Sequence, residues 1–154
     1  MIVIAATTRA VASPVWHGLS HRRRPVKMKL AKKRVRTIRD RRGMLRIFEK
    51  GTSLPFALKR CFVISHVPKG KARGEHAVSC SLFLTELTGT CRLTVRSAGR
   101  EASLSLSRRT EGVVVPKGAW LRLDRFSSGT IVLVCASQNF RNTHYLSQQS
   151  AADG

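Results

Sequence analysis

The sequence predicts an all-β chain folded as one sandwich or barrel. Three observations carry this. The chain has 154 residues, the length of a single domain able to enclose one core. From about residue 30 onward, short β-rich apolar runs alternate with glycine- or proline-bearing turns every few residues. No stretch sustains the apolar period of a long helix.

The elements follow in order. Met44-Leu45-Arg46-Ile47-Phe48 comes after the turn signal Arg42-Gly43 and reads as a strand. Cys61-Phe62-Val63-Ile64 is a second run, ending near Pro68-Lys69-Gly70. Residues 81–87 and 91–95 flank Thr88-Gly89-Thr90, the pattern of two strands about a glycine turn. Ser97-Ala98-Gly99-Arg100 is the next turn, and Ala102-Ser103-Leu104-Ser105-Leu106 alternates with the period of a half-buried strand. Val113-Val114-Val115 runs into Pro116-Lys117-Gly118, and residues 120–123 follow as another strand. Ser127-Ser128-Gly129 precedes residues 130–135, the most apolar run, expected at the centre of a sheet. The tail after Tyr145 is polar and small, the composition of a frayed end. Gly43, Gly74 and Gly89 fit turns that need positive φ.

Residues 1–29 read as a basic extension, expected to be disordered or not native, residues 30–146 as the domain, and residues 147–154 as a flexible tail. The apolar start at Met1 is short and has no basic segment before it, which argues against a secretory signal. Met28 is an alternative start, because the ordered pattern begins just after it. No apolar run reaches the ~20 residues that a membrane-spanning helix needs. The 29 Lys and Arg against 8 Asp and Glu give a formal charge of +21, a field that attracts polyanions without choosing among them. Dispersed charge of this kind equally describes a solvated surface. Cys61, Cys80, Cys91 and Cys135 form no C-x-x-C pair, and they read as small buried thiols of a reducing, cytoplasmic compartment.

Six segments then resemble one family in unbroken order from about Leu30 to Leu146. Asp40-Arg41-Arg42-Gly43-Met44-Leu45 resembles a D-x-R-G-x-L opening, and residues 54–60, ending in Lys59-Arg60, an l-P-F-x-x-x-R segment. Residues 67–77, with Arg73-Gly74-Glu75-His76-Ala77, resemble a v-P-x-x-x-x-R-G-x-H-A-H loop. Leu87-Thr88-Gly89 matches an l-x-G turn, Val115-Pro116-Lys117-Gly118-Ala119-Trp120 a p-p-x-x-W-H segment, and Val134-Cys135-Ala136-Ser137 with Tyr145 a closing v-l-A-S…D-Y. Together these resemble the sugar 3,4-ketoisomerase cupins, the WxcM-like family.

The resemblance implies a single cupin jelly-roll barrel, a homodimer, no cofactor and no metal. It implies a nucleotide-sugar ligand of the dTDP-4-keto-6-deoxyglucose class, from deoxysugar biosynthesis. It places Arg60, Arg73 and Trp120 as substrate-binding residues, the two arginines facing the diphosphate. Their plainer roles are surface ion pairs for the arginines and core packing for the tryptophan. The reaction takes a proton from beside a ketone and returns it to the neighbouring carbon, which suits histidine. Of the family's histidines His76 remains, as a catalytic group or as a fastener of its loop. Val78 and Leu121 stand where the family has the other two, Phe62-Val63 where it has consecutive aromatics often including a tyrosine, and His144 where it has aspartate. His66 and His144 read as surface residues. Three functions follow: a nucleotide-sugar isomerase with His76 or another group as base, a degenerate binding or partner subunit without turnover, and, ranked last, a basic nucleic-acid binder drawing on residues 27–36. The last lacks any accompanying recognition motif.

Overall fold

The computed structural model describes residues 26–107 and 111–146. Two sheets carry the fold. One runs in the order β1 (Val26–Lys27), β9 (Arg100–Leu106), β8 (Cys91–Ser97), β11 (Trp120–Asp124), β6 (Arg73–Val78) and β13 (Tyr145–Leu146). The other runs β2 (Ala31–Arg34), β10 (Glu111–Val115), β7 (Leu82–Thr88), β12 (Ile131–Ala136) and β5 (Arg60–Ile64). A separate hairpin pairs β3 (Arg36–Asp40) with β4 (Gly43–Ile47), and Arg46 ties it to β7 by donating to the carbonyls of Glu86 and Leu87 at 2.8 and 2.9 Å.

The alternation read from the sequence explains how the two sheets meet. Leu82 and Leu84 of β7, Val132 and Val134 of β12, Leu93 and Val95 of β8, and Leu121 and Leu123 of β11 all project into one buried cluster. Burying such branched side chains is the main favourable term of the fold. The run at residues 130–135 is interior as expected: β12 is flanked by β7 and β5. The Thr88-Gly89-Thr90 turn joins β7 to β8, which lie in different sheets, so these strands do not pair as a hairpin. Val26 and Lys27, assigned to the extension on composition, pair in parallel with Arg100 and Glu101 at the edge of the first sheet. The expected disorder of residues 1–25 and the tail 147–154 lie outside the described residues. Among the described residues no helix is long and apolar enough to cross a membrane.

A smaller cluster lies on the other face of the second sheet, where Val35, Leu54, Phe83 and Cys135 pack with Phe48 and Phe56. Gly112 is required here, since a Cβ at this position would overlap the ring of the fully buried Phe83. Gly112→Ala is therefore expected to cost about 3 kcal/mol through overpacking. A denaturant midpoint equal to that of the parent protein would show that the ring has room to move.

The cysteines divide. Cys80, Cys91 and Cys135 are buried as expected, but Cys61 is exposed. It sits on β5, the edge strand of its sheet, where one flank has no neighbouring strand among the described residues. Burial, helped by the charges of Glu86 and Asp124, pushes the Cys91 thiol up to about 12. Burial, with Cys61 nearby, pushes Cys135 to about 11. Thiolate is the reactive form, so iodoacetamide at pH 8 is expected to give one adduct in the native protein, on Cys61, and four after denaturation. Mass spectrometry of the native protein showing a second adduct would contradict this assignment.

Candidate functional site

The site begins with an irregularity in β6. Leu121 of β11 pairs with His76, but Arg122 pairs with Gly74, so Glu75 is the extra residue of a β-bulge. In an unbroken strand, residues 73 and 76 would project to opposite faces. The bulge turns both Arg73 and His76 into one cavity. Gly74 and Glu75 have φ of 84° and 67°, and a Cβ on Gly74 would stand 2.8 Å from the Leu121 carbonyl oxygen. Glycine is thus the residue that permits this crossing of strands.

The cavity measures about 560 Å³ and lies between the two sheets. Its apolar wall includes Val78, Leu82, Leu84, Leu121, Leu123 and Val134. Among the described residues its ionisable lining is Arg60, Arg73, His76 and Tyr145, with no Asp or Glu. A larger cleft of about 960 Å³ lies beside β1 and β9; Lys27, Lys29 and Lys32 of the basic segment line it, but none of the residues that the family resemblance assigns to the site does. Volume alone therefore does not locate the chemistry. Among the described residues, no three His, Cys, Asp or Glu side chains converge as a metal site would require.

Each polar group is held by its surroundings. Arg60 opens β5, and its guanidinium lies 5.3 Å from the ring centre of Phe62 and 5.5 Å from that of Phe140. The two rings fix the cation from their π-faces. Its Nε is buried and has no hydrogen-bond partner among the described residues. A buried charged donor in that state is costly unless something accepts from it. The His76 Nδ1 lies 2.9 Å from the Gly74 carbonyl oxygen. A carbonyl only accepts, so Nδ1 is the donor, and in the neutral ring the lone pair then falls on Nε2. The imidazole also meets Tyr145 edge-on, with ring centres 4.6 Å apart at 85°.

Three of the four residues singled out by sequence therefore come together. The fourth, Trp120, does not join them. Leu121 and Leu123 point inward, so Trp120 lies on the opposite face of β11, beneath the guanidinium of Arg96 at 4.7 Å. Val78 and Leu121 do line the cavity, and Leu121 stands directly across the ladder from His76. His66 and His144 are exposed, as expected. Sequence reasoning missed Tyr145 as a site residue. It is the only tyrosine in the chain, which was the available signal. Its place on β13, opposite Val78, brings it to the cavity.

With this geometry in view, the comparisons with known proteins are specific. The family model FdtA, described as WxcM-like, C-terminal, matches residues 28–151. The chain belongs to this family. A curated relative, the TDP-4-oxo-6-deoxy-alpha-D-glucose-3,4-oxoisomerase of Aneurinibacillus thermoaerophilus, is 29% identical over 110 residues, covering 71% of this chain and 79% of the relative. The solved WlaRB TDP-quinovose 3,4-ketoisomerase of Campylobacter jejuni is 26% identical, with a TM-score of 0.75 over 81% of this chain and 98% of its own. A QdtA 3,4-ketoisomerase variant from Thermoanaerobacterium thermosaccharolyticum, solved with TDP, is 27% identical, with a TM-score of 0.68 over 72% of this chain and 81% of its own. The two-sheet architecture is accordingly the cupin jelly roll of the WxcM-like sugar 3,4-ketoisomerases.

Proposed function

We propose that this WxcM-like cupin binds a nucleoside-diphosphate 4-keto-6-deoxysugar in the cavity between its sheets, and that it holds this ligand without isomerising it at an enzymatic rate. The observation that carries the reading is the pairing of a cationic rim with an apolar wall. Arg60 and Arg73 supply forked donors suited to a diphosphate, and the buried Nε of Arg60 gains the acceptor it lacks. Val78 and Leu121 leave hydrocarbon where the family has histidines. Relatives named as TDP-sugar ketoisomerases, one of them holding TDP, support the ligand class. The reading includes a homodimer, with β1 and β2 as edge strands open to pairing.

One observation favours turnover instead. His76 lines the cavity with Nδ1 engaged by the Gly74 carbonyl, which leaves Nε2 as its unoccupied nitrogen, and a histidine there is able to take a proton from the sugar carbon. A single experiment separates the readings. The purified protein is titrated calorimetrically with TDP-4-keto-6-deoxyglucose, and solvent deuterium entering the sugar is followed by mass spectrometry. Saturable binding with exchange at the buffer rate is the expected result. Exchange at an enzymatic rate would make the protein an isomerase with His76 as its base. Absence of binding would end the nucleotide-sugar reading altogether.

A further inference from the structure

The outer face of the first sheet carries an ion-pair chain that ends at the bulge. Arg92 donates to both oxygens of Asp124, each at 2.9 Å. The Nε of Arg122 stands 3.1 Å from Asp124 Oδ2, a charge contact without the alignment of a hydrogen bond. The Nη1 of Arg122 reaches Glu75 Oε1, also at 3.1 Å. Asp124 is mostly buried, and the bond from Arg92 holds its carboxyl below the usual carboxylate range. The Arg92–Asp124 pair at its centre therefore stays charged at neutral pH.

The last member of the ion-pair chain has an unfavourable backbone. Glu75 is a non-glycine residue at φ 67°, a conformation that L side chains adopt at a cost. It is also the extra residue of the bulge, and Arg122 is the residue across the ladder at the point where the register shifts. The side chains of Glu75 and Arg122 lie on the outer face, while Arg73, Gly74 and His76 line the cavity. Without the bulge, Arg73 and His76 separate to opposite faces.

We propose that Glu75 and Arg122 are positioning residues for the cavity: their ion pair across the outer face of the sheet holds the bulge that aims Arg73 and His76 at one ligand. The proposal rests on the nucleotide-sugar reading for its ligand but not for its structural readout. An exposed pair of this kind contributes modestly to global stability. Here its effect is concentrated on one register shift, so it is read at the site.

The test uses the intact protein. TDP affinity is measured for Glu75→Gln, Arg122→Gln, Glu75→Gly, and the charge exchange Glu75→Arg with Arg122→Glu. In parallel, the nuclear Overhauser contact between the His76 and Tyr145 rings is followed without ligand. Glu75→Gln and Arg122→Gln are each expected to weaken TDP binding about fivefold and to diminish the ring contact. Their combination is expected to add little more, because both remove one interaction. The charge exchange is expected to restore both readouts in part, because a carboxylate at position 122 also faces Asp124. Glu75→Gly relieves the backbone but removes the carboxylate. If it binds TDP as tightly as the parent protein, or if the ring contact and affinity survive both glutamine variants, the ion pair does not position the site. If the parent protein fails to bind TDP, the ligand reading falls, and the ring contact alone still decides the positioning role. Should Arg122→Gln not fold, Glu75→Gln carries the test.

Discussion

Arg73→Ala is expected to weaken TDP binding by about 10–100-fold, and Arg60→Ala by a similar factor. A charge-assisted hydrogen bond to phosphate contributes ~1.5–3 kcal/mol, which is about one to two decades of affinity. The effect should lie near the upper end for Arg60. Its guanidinium is already ordered between Phe62 and Phe140, so little side-chain entropy is lost when it grips an anion. Among the described residues, no carboxylate lines the cavity to compete for either cation. Binding should also fall as salt is raised, because the exposed part of the attraction is screened. Arg73→Lys is the informative companion. It keeps the charge but not the fork, so a large part of the loss should remain. If Arg73→Ala and Arg60→Ala bind TDP as the parent protein does, the cationic rim is not the diphosphate site.

The fold was legible because its signals are local. Turn residues punctuate the chain, and alternating apolar residues mark which face of each strand is buried, as at Leu121 and Leu123. The same alternation, applied strictly, would have placed Trp120 on the outer face, where it lies; the family motif drew it to the site instead. The site was legible only in part, because one decisive feature is not periodic. Arg73 and His76 are three positions apart in one strand, and period-two reasoning separates them. Only the bulge at Glu75 reunites them, and a bulge depends on the partner strand, here on how Arg122 meets Gly74. Tyr145 was obscured for a related reason. It reaches the cavity through a two-residue strand that pairs with β6, a contact about 67 positions away in sequence that no local pattern announces. Cys61 misled because its apolar run looks like a buried strand, and whether a strand is an edge is a property of the whole sheet.

Val78→His is expected to raise solvent-deuterium exchange into TDP-4-keto-6-deoxyglucose by about 100-fold or more over the parent protein, the lower range for a positioned general base. Val78 lines the cavity, and its ladder partner is Tyr145, so a side chain there reaches the same space as His76. The position is nearly sealed, with 3% of the residue exposed. Burial disfavours imidazolium and keeps an introduced histidine in its neutral, proton-accepting form. Two cationic neighbours, Arg60 and Arg73, push the same way. The larger ring costs ~1–3 kcal/mol of stability through overpacking, so TDP affinity must be measured beside the rate to show that the cavity survives. Val78→Asn is the control for polarity, since it brings hydrogen-bonding atoms but no base, and it should leave exchange at the parent level. If the histidine variant binds TDP normally and still exchanges no deuterium, then the hydrocarbon at position 78 is not what separates this cavity from a working isomerase. The weight then passes to Leu121, the residue that faces His76 across the ladder.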